Sequence, residues 1–222
     1  MKAVILAAGR GTRMGDLTEE VPKPMLKVNG KTLLEYKLDV MPEEIDEVLI
    51  VVGYKNDVIR NHLGNQYKNI LIKYVDMKEL TGTGPALWLC KEYLNEKFLV
   101  LMGDDIYPKE DLENLIKSDW ALLAYKREEG LQSDGVVEEN GVFKGLTTEG
   151  SDLVCAGGYV LGPEIFNYEL VQVPGKNEYG LPHTMVSAVS DFDIEVVIST
   201  RWFQITKPED LKRAEELSRG LI

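Results

Sequence analysis

The chain has 222 residues, 44% hydrophobic and 28% charged, which suits a globular protein with a sizeable core. Its formal net charge of −12 excludes a broad nucleic-acid footprint, because a polyanion would be repelled by most of the surface. No apolar run approaches the roughly 20 residues that cross a bilayer, and no signal-peptide pattern opens the chain, so a cytoplasmic protein without a membrane partner is expected.

The charge is unevenly spread: the first 37 residues carry seven Lys and Arg against four Asp and Glu, and the rest is strongly acidic. Such a chain suits a small anionic ligand held near its N-terminus. Cys90 and Cys155 lie far apart without metal-ligand spacing and read as reduced, buried thiols. His62 and His183 are isolated and read as surface or packing residues.

Lys2 to Leu6 predicts a first strand, delivered into Gly9-Arg10-Gly11-Thr12-Arg13, with Pro22-Lys23-Pro24 following. Glycines at 9 and 11 let the backbone turn sharply and bring bare N–H groups against an anion, while Thr12 adds a hydroxyl and Arg13 a fork of donors. The pattern predicts a helix near Thr32 to Met41, whose Lys37, with Lys27 and Lys31 nearby, is expected on a solvated face. A strand at Val48 to Val52, a helix at Lys55 to Leu63 and a strand at Ile70 to Val75 follow.

After the turn-like Leu80 to Pro85, helical spacing runs to Leu94 with Pro85 in its first turn. Phe98 to Met102 is a continuous apolar strand, too hydrophobic for a surface, and stops at Gly103-Asp104-Asp105. Asp105 reads as a strand-end or capping residue. A helix at Pro108 to Ser118 and a strand at Trp120 to Tyr125 come next. Asn140-Gly141 between β-formers predicts a hairpin, so the second half adds antiparallel pieces. Val154 to Leu161 predicts a strand, Gly162-Pro163 a short helix, Leu181 to Ala188 a helix, Ile194 to Ile198 a strand and Lys207-Pro208 a final helix. The sum is an α/β fold, a mixed, mostly parallel sheet with helices on both faces, in one domain over 1–222.

Three stretches fall at the carboxyl ends of predicted strands, where open α/β sheets gather their ligands: the glycine loop, the Leu80 to Pro85 turn and Asp104. The string Leu6-Ala7-Ala8-Gly9-Arg10-Gly11-Thr12-Arg13-Met14, followed by Pro22-Lys23-Pro24-Met25, resembles the signature of the sugar-1-phosphate nucleotidyltransferases. Their wider group includes the choline-phosphate and inositol-phosphate cytidylyltransferases. The resemblance extends to Leu80 to Ala86 (base-binding segment), Val100 to Asp104 (metal strand) and Ala156 to Leu161 (sugar-binding strand).

The resemblance implies a three-layer, Rossmann-like fold of the nucleotide-diphospho-sugar transferase type, with these roles. Ala8, Gly9, Gly11 and Thr12 hold the nucleotide, Gly82 lies against the base, and Arg13 and Lys23 act on the reacting phosphates. Asp104 holds Mg²⁺, and Gly158 and Glu178 contact the acceptor. Three positions depart from the family pattern. Gln204, in Trp202-Phe203-Gln204, stands where many members carry a second metal Asp, Met77 where a Gln often reads a pyrimidine, and Leu146 to Gly150 lacks the usual acceptor Lys. Trp202 and Phe203 themselves read as core or pocket wall.

The chemistry supports the same roles. Bringing an acceptor phosphate onto an α-phosphorus requires charge cancellation by a divalent ion and fixed cations, and no general base, since the nucleophile is already ionised. The expected activity is transfer of a nucleoside monophosphate from a triphosphate to a sugar 1-phosphate. The alternatives are a cytidylyltransferase acting on choline or inositol phosphate, and a non-catalytic nucleotide-binding relative. The chain ends at Ile222, which leaves no expected room for the β-helical extension of some members; nothing in the sequence indicates an oligomeric state.

Overall fold

The computed structural model describes residues 1–129, 131 and 133–218. In chain order its elements are β1 (Lys2–Ala7), two 3₁₀ segments (Thr12–Thr18 and Lys23–Met25), β2 (Lys27–Val28), β3 (Lys31–Thr32), α1 (Leu33–Asp39), β4 (Glu47–Val52), α2 (Asn56–Leu63), β5 (Gln66–Tyr67), β6 (Ile70–Asp76) and α3 (Thr83–Trp88). Then come β7 (Phe98–Met102), α4 (Lys109–Leu115), β8 (Ala121–Lys126), β9 (Gly135–Glu139), β10 (Val142–Thr147), β11 (Leu153–Leu161), α5 (Leu181–Met185), β12 (Glu195–Ile198) and α6 (Pro208–Ser218).

Local chemistry sets the boundaries. Thr32 caps α1 by accepting from the Glu35 N–H while the Glu35 carboxylate accepts from the Thr32 N–H, a reciprocal pair that closes the helix start. Asn140 and Gly141, both at positive φ, make the tight turn that the β9–β10 hairpin needs. The helical stretch predicted to run on from Pro85 to Leu94 stops at Trp88 and resumes as a 3₁₀ turn at Lys91–Tyr93; similarly, α5 passes at Val186 into a 3₁₀ turn. The short strands β2, β3 and β5 carry too few residues to show a period in sequence.

Among the described residues ten strands form one sheet in the order β5-β6-β4-β1-β7-β11-β8-β12-β10-β9. β6, β4, β1 and β7 form a parallel core, with Ile5 opposite both Ile50 and Leu101. β11 inserts antiparallel between β7 and β8, and the β9–β10 hairpin closes back on β11. The mixed α/β sheet is therefore the one expected, with its antiparallel pairings at the hairpins, at β11 and between β10 and β12.

Helices cover both faces because successive side chains of a strand point opposite ways. Ala3, Ile5 and Ala7 pack with Leu34 and Leu38 of α1, Ile59 of α2 and Leu112 of α4. Val4, Leu49 and Val100 pack with Ala86 and Leu87 of α3 and Met185 of α5. A third cluster joins Leu33 and Tyr36 of α1 to Met14, Ile205 and Ala214, so α1 is buried on two sides. That double burial shapes the site.

Candidate functional site

The carboxyl ends of β1 and β7, the loop after β6 and the middle of β11 open on one cleft of about 570 Å³. Ala8, Gly9, Gly11, Thr12, Arg13, Lys23, Gly82, Asp104 and Glu178 all line it, so nine of the ten residues singled out from sequence meet there.

The glycine loop is built by close approach. Gly11 sits at φ +67°, and a Cβ there would come 2.7 Å from the Lys23 Cβ, so only glycine lets Lys23 pass beneath the loop. Gly9 faces open space and is exposed, leaving backbone accessible to an anion. Arg10 lies beside it in the cleft, its guanidinium 5.3 Å from the Tyr54 ring centre. Lys23 is buried, and its ammonium reaches across the cleft floor to the Asp104 carboxylate. The Lys23–Met25 segment and the end of β7 are thereby joined by one ion pair. Gly103 makes the join possible: its N–H donates to the Leu6 carbonyl at 2.9 Å, and a Cβ would come 2.7 Å from that oxygen.

The loop after β6 and the segment carrying Glu178 meet at Gly82. At φ +116° its missing Cβ would lie 2.3 Å from the Tyr179 carbonyl oxygen. The Tyr179 N–H donates to the Thr81 carbonyl at 2.8 Å, and the Gly84 N–H to the Tyr179 carbonyl at 3.0 Å. The segment carrying Glu178 is thus stitched to the segment expected against the base. Met77 also lines the cleft, buried and apolar, so it offers no hydrogen bond to a base edge.

Gly158 is the predicted site residue that stays out of the cleft. Its Cβ position faces Leu123 and Leu115 in the core, because neighbouring residues of β11 point opposite ways. Gly157, one residue earlier, lines the cleft at φ +69° within a bulge of β11. Strand parity in the bulge could not be read from the sequence.

Beneath Asp104 lies a polar layer that sequence reasoning placed elsewhere. Lys37, expected on a solvated face, is fully buried, and its ammonium donates to the carbonyls of Leu33, at 3.1 Å, and of Asp105. Helical spacing holds the missed signal: Lys37 lies four residues after Leu33 and three after Leu34, on the apolar side of α1. Lys27 is exposed and Lys31 half-buried. Asp105, read as a strand-end residue, is buried, and its carboxylate accepts from the Trp202 indole N–H at 3.1 Å. Burial, reinforced by the Asp104 charge, pushes the Asp105 carboxyl above the usual carboxylate range. Burial likewise draws the Lys37 ammonium down, against the pull of the Asp105 and Asp104 carboxylates. Trp202 is the pocket wall expected.

Antiparallel hydrogen bonds between Ile106 and Phe203 bring Gln204 into the same cleft. His183, read as a surface or packing residue, also lines the cleft, with its Nε2 4.0 Å from Asp134. Both thiols are buried as expected, and burial pushes Cys90 up to about 12 and Cys155 up to about 11, which makes them poor nucleophiles.

Among the described residues no cluster of three or more His, Cys, Asp or Glu is placed to hold a metal. Asp104, about one-third exposed and facing the cleft, is a single carboxylate. That donor set fits Mg²⁺ arriving with a triphosphate, since Mg²⁺ usually takes one or two carboxylates plus substrate phosphates and waters. No helix among the described residues is long and apolar enough to cross a membrane.

The sequence profile described as nucleotidyl transferase matches residues 2–129. The UTP–glucose-1-phosphate uridylyltransferase AglF of Haloferax volcanii is 31% identical over 97% of this chain and 96% of its own. The bifunctional protein GlmU of Methanocaldococcus jannaschii is 30% identical over 97% of this chain and 54% of its own, so the chain spans about half the length of that relative. Two solved structures share the fold: a UDP-glucose pyrophosphorylase complexed with UDP-glucose, with a TM-score of 0.87 at 20% identity over 98% of each chain, and the inositol-1-phosphate CTP transferase from T. maritima, with 0.80 at 19% over 100% of this chain and 97% of that one. The matched residues 2–129 contain the glycine loop, Lys23, Gly82 and Asp104, the same groups that converge on the cleft, and the chain belongs to the nucleotidyl transferase family.

Proposed function

We propose that this protein transfers a nucleoside monophosphate from a nucleoside triphosphate to a sugar 1-phosphate, releasing pyrophosphate. The observation that carries this reading is the Lys23–Asp104 pair on the floor of a cleft bounded by the glycine loop on one side and Glu178 on the other. The relative AglF, matched over nearly its whole length, is named for such a reaction on glucose 1-phosphate and UTP.

In this reading the backbone of Ala8, Gly9 and Gly11 and the hydroxyl of Thr12 cradle the triphosphate, and Gly82 leaves room for the base. Arg13 draws charge from the phosphates. Lys23, released from Asp104, bridges the α-phosphate and the acceptor phosphate and offsets their repulsion. Asp104 would hold Mg²⁺, which when bound would supply charge neutralisation on the triphosphate. An acceptor phosphate oxygen bonds to the α-phosphorus in line, and the bond to the bridging oxygen breaks, so that pyrophosphate leaves with its electron pair. No proton has to be removed, in keeping with a cleft whose one lining histidine, His183, lies on the acceptor side. Gly157 and Glu178 face the acceptor, whose sugar the cleft side chains select.

Pyrophosphate release, measured with ATP, CTP, GTP, UTP and dTTP against sugar 1-phosphates, choline phosphate and inositol phosphate, tests the reading. Turnover only with an alcohol phosphate would move the acceptor class; no turnover with any pair would overturn the enzyme reading. Asp104→Ala is expected to abolish turnover while the fold persists, and unchanged activity would remove Asp104 from the mechanism.

A further inference from the structure

A fully buried lysine is costly, because removing an ammonium from water is repaid only by well-placed partners. The Lys37 ammonium donates to two backbone carbonyls, that of Leu33 one turn back on its own helix and that of Asp105 on the neighbouring turn. A merely space-filling role would be met more stably by an apolar side chain, since α1 is packed between two hydrophobic clusters here. The position instead couples a rigid helix to a catalytic turn.

That turn is pinned on either side of Asp104. Gly103 donates to Leu6. The Asp105 carboxylate is held by Trp202, and the Asp105 carbonyl by Lys37. The Tyr107 hydroxyl, accepting from the Met102 N–H at 3.3 Å and donating to the Gly157 carbonyl at 3.0 Å, ties the same loop to β11. With both flanking residues fixed, Asp104 presents its part-exposed carboxylate to the cleft from a held backbone. Orientation matters more than usual here because, among the described residues, no cluster of three or more His, Cys, Asp or Glu is placed to share the ion.

We propose that Lys37 is a positioning residue which, by holding the Asp105 carbonyl from beneath, fixes the direction in which Asp104 presents its carboxylate to a divalent cation. This rests on the reading of Asp104 as the metal carboxylate. Lys37 touches neither substrate nor ion; it acts through the backbone.

The test uses Mn²⁺ alone, its binding followed by electron paramagnetic resonance, on the parent, Lys37→Met, Lys37→Gln and Asp104→Ala. Lys37→Met keeps the buried stem and removes the donor; it is expected to weaken Mn²⁺ binding by ~10-fold, the usual scale for losing an outer-shell partner. It is also expected to lower kcat with little change in the KM of the triphosphate. Lys37→Gln, which restores a donor, is expected to recover most of the loss. A folded Lys37→Met that binds Mn²⁺ like the parent overturns the assignment, as does a Lys37→Gln no better than Lys37→Met. If Asp104→Ala binds Mn²⁺ unchanged, the reading of Asp104 fails and the assignment with it; if Asp104→Ala loses binding and Lys37→Met does not, the assignment alone fails. On the unmodified protein, labelled with ¹⁵N-lysine, the Lys37 ammonium resonance is expected to shift as Mg²⁺ is added. No shift overturns the proposal without requiring any variant to fold.

Discussion

Replacing Gly82 by alanine should strike both halves of the cleft at once. At φ +116° an L-residue is strained by ~1–3 kcal/mol. The new methyl would also lie 2.3 Å from the Tyr179 carbonyl oxygen and 2.7 Å from its nitrogen. Those atoms are backbone and cannot rotate away, so the Tyr179 segment has to retreat, at a cost of ~1–3 kcal/mol for an overpacked contact. The retreat loosens two hydrogen bonds, Tyr179 N–H to the Thr81 carbonyl and Gly84 N–H to the Tyr179 carbonyl, each worth ~1 kcal/mol. The lower ends of these contributions sum to ~4 kcal/mol, which corresponds to a fall in Tm of at least roughly 8–16 °C for a chain of this length. Calorimetric unfolding reads the stability, and steady-state kinetics read the two KM values. Because Glu178 rides on the displaced segment, the KM values for triphosphate and acceptor phosphate are both expected to rise. A Gly82→Ala variant with an unchanged Tm, or one in which only the triphosphate KM moves, would refute the claim that this glycine joins base and acceptor segments.

Other expectations follow from the same geometry. Gln204→Asp adds a carboxylate to the cleft and is expected to lower the Mg²⁺ concentration needed for half-maximal turnover; a flat response would show that this position does not face the ion. Asp39 lies away from the cleft at the end of α1. Burial alone would raise its carboxyl, but hydrogen bonds from Lys31, from Lys68 at 2.6 Å and from the Tyr67 hydroxyl at 2.9 Å outweigh it and hold the group below the usual range. Its contribution is therefore fully present above the unfolded carboxyl value of about 4 and is lost as pH falls through the lower folded value. Asp39→Asn is expected to cost no more than ~1 kcal/mol at pH 7, since Lys68 is largely exposed, and the gap to the parent should close in denaturant titrations below about pH 4. A gap that stays constant with pH would show that the carboxylate charge does not contribute.

The half of the cleft built by the glycine loop and Asp104 was legible in the sequence because its residues follow directly from strand ends. Gly9, Gly11 and Arg13 follow directly from a buried strand, and Asp104 from another, and in an open sheet two parallel neighbours bring their carboxyl ends together. Strand length, apolar period and turn residues suffice for that much. The opposite half, around Gly157 and Glu178, depends on parts that the sequence does not rank. A bulge in β11 turns Gly157 rather than Gly158 toward the cleft, and a two-residue stitch at Tyr179 brings Glu178 and His183 to the base segment. Lys37 is the clearest division between the two kinds of information. Its spacing from Leu33 and Leu34 assigns it to a helix face, a local fact. Whether that face meets water or the backbone of Asp105 depends on what packs against α1, and the helix lies between the central sheet on one side and Ile205 and Ala214 on the other. Local periodicity fixes which way a side chain points along its own element; only the tertiary structure decides what stands there, because burial is set by contacts among residues far apart in the chain.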